Sequence, residues 1–299
     1  MSHESGGAVG LLVHPENPDA GITATRITAL LDARGVHWWR ESTRDLDPEH
    51  PPLDATRLLL VLGGDGSLMR AAQIAARRDI HVVAVNLGRL GFLAELTPEN
   101  AVERLPQFLA GDYWLDRRLM LEVAVERADG TVITALAAND VVITNAKPAR
   151  VVDITCTVDG AEVTTFVADA MIVATPTGST AYNLAAGGPI IAPWTPAMIL
   201  TPVAPHLTSI QTLVISPDAH VVLTADAREG AVVTADGQTD IPLGSADRVR
   251  VTASKYTLAL ARVNPRNHFY ATLVSRLIRR EERGTQANAT PPNGAPPNG

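Results

Sequence analysis

Two stretches of this chain hold residue types that suit phosphate and nucleotide chemistry. Gly63-Gly64-Asp65-Gly66-Ser67 follows the apolar run RLLLVL and precedes the helical run SLMRAAQIAARRD. Glycines in such a turn permit positive φ and let backbone N–H groups approach phosphate oxygens, and the helix N-terminus behind them favours negative charge. A carboxylate beside phosphates is repelled. Asp65 therefore raises the question of a bound metal, or of a base that takes the proton from a hydroxyl attacking phosphorus. The loop is neither a Walker loop nor the GxGxxG dinucleotide fingerprint. By itself it names no substrate, and a strand-to-helix turn in which Asp65 only caps the helix explains it nearly as well. The second stretch is Thr175-Pro176-Thr177-Gly178-Ser179-Thr180-Ala181-Tyr182, followed by Asn183-Leu184-Ala185-Ala186-Gly187-Gly188-Pro189. Its hydroxyls surround a Pro/Gly turn leaving the run AMIVA, where side-chain O–H and backbone N–H groups can line a polar pocket and Tyr182 can stack on a base. The competing account is an ordinary Ser/Thr-rich turn with local capping.

The elements that must position these stretches are of two kinds. Over residues 8–115, AVGLLVHP, RLLLVLGG and HVVAVN read as buried strands alternating with helical segments, the rhythm of a parallel sheet with right-handed crossovers. Thr97, Pro98 and Gly111 supply the cap, first turn and stop of one more helix. Over 116–262 the chain breaks into short β-type runs, several joined by turns such as Asp129-Gly130 and Asp159-Gly160. The expected fold is an α/β N-terminal domain with a Rossmann-like open sheet, then a β-rich, sandwich-like C-terminal domain. Residues 263–281 return to helical spacing and are expected to pack back on the α/β domain. The stretch 284–299, GTQANATPPNGAPPNG, cannot bury a core and is expected to be disordered.

Composition narrows the partners. A net charge of −7 with 4% aromatic residues provides neither the basic footprint nor the stacking surface of a nucleic-acid binder. The apolar runs are too short and too interrupted for a membrane-spanning helix, and the start MSHESGGAVG lacks a secretory pattern. The single Cys156 sits in the strand-like VVDITCTV, where a small buried hydrophobe is the better reading, and it suits a reducing cytoplasm. His37, Trp38 and Trp39 read as packing or surface residues.

At its two chemical stretches the chain resembles the NAD kinase family, whose fold is shared with diacylglycerol kinases. GGDGS is similar to that family's GGDGT, residues 86–96 (NLGRLGFLAEL) to its next motif, Asn139-Asp140 to its Asn-Glu, and TPTGSTAYNLAAGGP to its longest motif. Pro205-His206 and Asp236-Gly237-Gln238 resemble late loops, and the ordered matches span roughly residues 8–275. The resemblance implies transfer of a phosphoryl group from ATP or polyphosphate, with a divalent cation such as Mg²⁺, to the 2′-hydroxyl of the adenosine ribose of NAD. Asp65 would be the base, with Gly63, Gly64, Gly66 and Ser67 forming the phosphate loop and Asp65 and Gly66 also touching NAD. Arg70 would offer positive charge, or else be a solvated helix arginine. Asn139, Asp140 and Asp169 would bind the dinucleotide, as would Arg150, for which a surface role is equally open. Thr177, Thr180, Ala181, Tyr182, Asn183, Leu184 and Ala185 would line the NAD pocket, and Gln238 would close it. The metal ligands are left unassigned, since Mg²⁺ keeps waters and donor phosphates. The resemblance also implies a homodimer or homotetramer.

The sequence departs from that pattern at four places. Ser67 replaces Thr, Asp140 replaces Glu, Ala170 replaces a glycine after Asp169, and Gln211-Thr212 stand where Arg-Pro is common. None removes the proposed base. Two rivals remain open at this level. One is a kinase of another substrate, because 6-phosphofructokinases carry GGDGS and lipid kinases GGDGT. The other is a non-catalytic NAD-binding sensor, which would have no use for Asp65.

Overall fold

The computed structural model describes residues 7–49, 51–88, 91–206, 210–226 and 230–273. Its first part contains β1 (Ala8–Val13), α1 (Pro18–Ala33), β2 (Trp38–Ser42), β3 (Thr56–Gly63), α2 (Asp65–Arg77), β4 (His81–Asn86) and α3 (Pro98–Leu109). There follow β5 (Trp114–Glu126), β6 (Val132–Ala137), β7 (Asp140–Asn145), β8 (Val152–Val158), β9 (Ala161–Ala168) and β10 (Ala170–Ala174). After the short α4 (Tyr182–Ala185) come β11 (Met198–Val203), β12 (Leu213–Ile215), β13 (Val221–Ala225), β14 (Ala231–Ala235), β15 (Thr239–Leu243) and β16 (Arg248–Arg262).

The aliphatic run of β3 explains the first layer. Leu58, Leu60 and Leu62 face the core under α1 and α3, while Leu59 and Val61 face the core under α2. A strand covered on both faces has no polar side, hence the unbroken hydrophobic spelling. Helix α3 begins at Thr97, whose N–H donates to the Asn100 side chain at 2.8 Å, and the chain leaves it through Gly111 at φ +77.

The sheet order is β2-β1-β3-β4-β16-β13-β8-β9, with β5 and β6 attached through β16, so one sheet runs through both halves. Its junction is β16, which pairs parallel with β4 at Leu260↔Val82 and antiparallel with β5 and β13. A second sheet, β12-β11-β10-β7-β14-β15, packs against the β-rich part of the first over a core that includes Val123, Ile143, Ile154, Phe166, Met171, Val221 and Val251. Two facing sheets around one apolar layer make the sandwich that the sequence suggests. Cys156 is buried in that layer, and burial pushes its thiol up to about 11.

Strands β2, β11, β12 and β15 carry weak signals. Trp38–Ser42 is a short edge strand with polar residues, anchored where the Trp39 indole donates to Thr56 Oγ1 at 2.7 Å. Pro242 in β15 argues against a strand in the sequence and is tolerated because β15 is an edge. The last described helix starts at His268, and Phe269 and Tyr270 stack edgewise on Trp194. Residues 274–281 and the expected tail 284–299 lie outside the described residues. Among the described residues no helix is long and apolar enough to cross a membrane.

Candidate active site

The chain leaves β1 for the edge strand β2 and leaves β3 for β4 on the other side, so the connections diverge at the carboxyl ends of the paired strands β1 and β3. Open α/β sheets bind ligands at such a crevice. Gly63-Gly64-Asp65 occupies this position, where the His14 N–H extends the β1–β3 ladder by donating to Leu62 O at 3.0 Å. A cavity of about 460 Å³ opens beside it, lined in part by His14, Asn17, Arg40 and Ser42.

The glycines of this loop serve closeness rather than left-handed backbone. Gly63, Gly64 and Gly66 are absent from the positive-φ residues, which corrects the expectation from sequence. A Cβ on Gly63 would stand 2.4 Å from Ser67 Oγ, so that glycine makes room for the buried serine. Around Gly64 and Gly66 nothing lies within 4 Å of such a carbon, and the space faces solvent. Asp65 opens α2 and is exposed, as is Arg70 on the next turn. A Cβ on Gly91 would stand 2.4 Å from Asp65 Oδ1, so the NLGRLGFLAEL motif meets the carboxylate at Gly91.

The other wall is built from the adjacent ends of β10, β7 and β14. Asn139 and Asp140 start β7, and Thr175 N donates to Asn139 O at 2.8 Å while Thr175 Oγ1 donates to Ala138 O at 2.6 Å. Gly178 lies flat on that carbonyl; a Cβ there would sit 2.0 Å from Asn139 O. Asp236, in the β14–β15 turn, accepts the N–H groups of Ala138, Asn139 and Asp140 at 2.7, 2.7 and 3.1 Å. Burial, and then the charge of Asp236, push the Asp140 carboxyl up to about 7. Burial likewise raises Asp236 to about 6 against those three N–H donors. Asp236 belongs to the Asp236-Gly237-Gln238 turn quoted above, but the sequence reading gives it no role in the site. Its signal was there, because a carboxylate before Gly237 in a tight turn at φ 52 is placed to gather backbone donors. Gln238 follows it, part-buried, its Oε1 without a partner among the described residues.

The hydroxyl-rich stretch divides by direction. Ser179 Oγ donates to Pro176 O at 2.6 Å and Asn183 Nδ2 to Pro189 O at 3.0 Å, while Asn183 Oδ1 accepts from Thr201 at 2.7 Å. Asn183 thus holds the loop through both ends of its side-chain amide. Thr180 donates to Thr177 O at 3.3 Å, and Ala181, Leu184 and Ala185 follow on the outer side, with Tyr182 44% exposed and open to stacking. Arg150 and Asp169 stand apart. Asp169 precedes Ala170, which pairs with Thr144, whereas Ala174 pairs with Asp140 at the site end. At about 3.3 Å per residue, Asp169 is about 20 Å along the strand from Thr175. Arg150 lies in the loop leaving the same far end of β7. Ala170 is a regular strand residue with its methyl buried, so the lost glycine does not disturb the turn.

Residues 9–113 match the ATP-NAD kinase N-terminal domain family and residues 138–263 the ATP-NAD kinase C-terminal domain family. An NAD kinase of Dehalococcoides mccartyi is 36% identical over 270 residues, covering 90% of this chain and 95% of that protein. One from Chloroflexus aggregans is 38% identical over 272 residues, covering 91% and 98%. Among solved structures, yeast NADH kinase complexed with NADH superposes with a TM-score of 0.77 at 22% identity, covering 98% of this chain and 91% of that one. An NAD kinase from Archaeoglobus fulgidus in complex with ATP gives 0.74 at 25% identity, covering 91% and 98%. With both domains matched in order and relatives aligned end to end, the chain belongs to the NAD kinase family.

Proposed function

We propose that this protein transfers the terminal phosphoryl group of ATP to the 2′-hydroxyl of the adenosine ribose of NAD, giving NADP and ADP. The observation that carries the reading is Asp65, an exposed carboxylate at the strand-crossover crevice beneath Gly91, opposite the strand ends that hold Asn139, Asp140 and the TPTGSTAY loop. In the transfer the ribose 2′-oxygen bonds to the terminal phosphorus, the bridging bond to ADP breaks, and the hydroxyl proton goes to Asp65. Positioning in line supplies most of the acceleration and proton removal a smaller part.

The open space over Gly64 and Gly66 leaves their backbone approachable by phosphate. The adjoining cavity with Arg40 and the N-terminus of α1 suits a polyanionic donor, either ATP or polyphosphate. Among the described residues no three His, Cys, Asp or Glu side chains converge as a metal cage. In this reading Mg²⁺ would be carried by the donor phosphates and water, where it would neutralise charge on the donor. A second copy bringing Arg150 and Asp169 to the site end of its neighbour would reconcile their distance with a contact to the same dinucleotide, and this supports a homodimer or homotetramer. The cytoplasm, with its reduced Cys156 and its pools of NAD and ATP, is the proposed location.

The test is NADP formation from NAD, ATP and Mg²⁺ by the wild-type protein and by Asp65→Asn. A fall in kcat of about 10²- to 10⁴-fold in the variant, with NAD binding retained, is expected of a lost base. Wild-type protein that binds NAD and transfers no phosphate from either donor would instead be a sensor.

A further inference from the structure

A line of buried charges joins the loop over Asp65 to the TPTGSTAY loop, and none of its members is needed to explain the reaction. Glu95, four residues after Gly91, pairs through Oε2 with Arg262 Nη1 at 3.1 Å, and its Oε1 accepts the N–H groups of Val263 and Asn264 at 2.9 and 2.7 Å. Arg262 Nε lies 3.5 Å from Asp116 Oδ2, and the same oxygen accepts from Arg118 Nη2 at 2.6 Å. Arg118 Nη1 then donates to Thr177 Oγ1 at 3.2 Å. The four charged side chains are 3–10% exposed and Thr177 is 5% exposed.

Such a network is a poor source of stability, because desolvating four charges offsets most of their attraction, and an apolar filling would hold the fold as well. What it fixes is direction. Arg118 has no acceptor capacity, so Thr177 Oγ1 must accept from it and retains its own proton to give away. Among the described residues that hydroxyl donates to none. Arg118 Nε is itself without a partner, so the guanidinium spends its fork on Asp116 and Thr177 rather than on filling every valence.

We propose that Arg118 is a positioning residue for dinucleotide binding, fixing Thr177 as a hydrogen-bond donor toward an acceptor atom of NAD, a ring nitrogen or a phosphate or carbonyl oxygen. The proposal rests on the assignment of Thr177 to the NAD pocket. Asp116 of β5 holds Arg118 and, through Arg262 of β16 and then Glu95, ties it to the segment that also covers Asp65, so one polar chain joins both walls of the site.

The experiment is a double-mutant cycle on NAD affinity, by calorimetry and by steady-state kinetics, with Arg118→Met, Thr177→Val and the pair. Each single variant is expected to raise Kd and KM for NAD about 10-fold, the usual scale of a charge-assisted hydrogen bond, with kcat within about 2-fold. The pair is expected to be no worse than either alone, since both remove one interaction. Thr177→Ser, which keeps the hydroxyl, should stay near wild type. Multiplicative losses in the pair, or a lowered Tm in Arg118→Met with Kd unchanged, would overturn the proposal. If Arg118→Met fails to fold, the same cycle with Arg118→Lys decides by the same criterion, since lysine keeps the charge beside Asp116 and loses the fork. If Thr177→Val leaves Kd unchanged, the pocket assignment falls and this proposal with it. If Thr177→Val weakens NAD while the Arg118 variants do not, the pocket stands and only the role of Arg118 falls.

Discussion

Asp236 and Asp140 are tied back to back: Asp236 Oδ1 accepts the Asp140 N–H at 3.1 Å, and the Asp236 N–H donates to the Asp140 carbonyl at 3.0 Å. Burial raises both carboxyls, Asp140 to about 7 with the charge of Asp236 adding to the rise, and Asp236 to about 6 against its three backbone N–H donors. In the unfolded chain an aspartate titrates near 3.9, so over about pH 4 to 7 the folded state holds protons that the unfolded state has released. The contribution is therefore complete at low pH and is lost as pH rises through the folded range of the pair. Asp140→Asn should flatten this fall and melt at least about 2 °C higher than wild type at pH 8, the shift that about 1 kcal/mol produces in a protein of this size. Thermal melts from pH 5 to 8 at fixed ionic strength, without nucleotide, check it; an unchanged slope in the variant would show that the pair ionises normally.

Removing Asp236 should act through the backbone. Asp236→Ala strips the acceptor from the N–H groups of Ala138, Asn139 and Asp140. An unsatisfied buried donor costs about 1–3 kcal/mol, and partial hydration of the opened turn lowers the sum, so a loss of about 2–5 kcal/mol in urea unfolding is expected. Asp236→Asn keeps one oxygen acceptor and should lose less than half as much. Equal losses in the two variants would mean that the donors are satisfied some other way.

Much of this is legible in the sequence alone. The unbroken aliphatic runs of β3 and β4 can only be strands covered on both faces, and Asp129-Gly130 and Asp159-Gly160 lie at hairpin turns with Gly130 and Gly160 at positive φ. The Asp65 loop was legible because a strand, three glycines and a helix are consecutive. The rest was not, because it is set by distance along space rather than along the chain. Nothing local tells that Arg118 reaches Thr177, 59 positions on, or that Asp236 closes on Ala138 across 98. Nor does anything local tell that the Asn183 amide, within the motif that resembles the NAD pocket, bonds Pro189 and Thr201.

The glycines can be sorted by what they make room for. Gly66 meets nothing within 4 Å and has no positive φ, so the fold does not require it. Gly66→Ala should melt within about 1 °C of wild type, since helix propensity slightly favours alanine at this position, while kcat/KM falls at least about 10-fold if phosphate approaches the backbone there. Normal activity in this variant would remove the phosphate role of the loop.

Gly91 presents the opposite case, because its missing side chain is the space occupied by Asp65. Gly91→Ala would place a methyl against the exposed carboxylate and force it to shift. Folding should be little affected, whereas a base moved by about 1 Å loses on the order of 10²-fold in kcat. KM for NAD should change far less than kcat. A variant with normal kcat would show that Asp65 does not act from the position it holds here.

The distance between Asp169 and the site end of β10 leads to a test by mixing. If Asp169 serves NAD bound at another copy's Asp65, then Asp65→Asn and Asp169→Ala each impair every site of their own homo-oligomer, yet damage different halves of a shared one. Coexpressed in equal amounts as random dimers, half of the assemblies are mixed, and each mixed dimer holds one site with both aspartates intact. Activity should recover to about a quarter of wild type. If both aspartates act within one chain, every site in the mixture lacks one of them. Mixing would then give only the average of the two impaired variants, and the second copy would have no part in holding NAD.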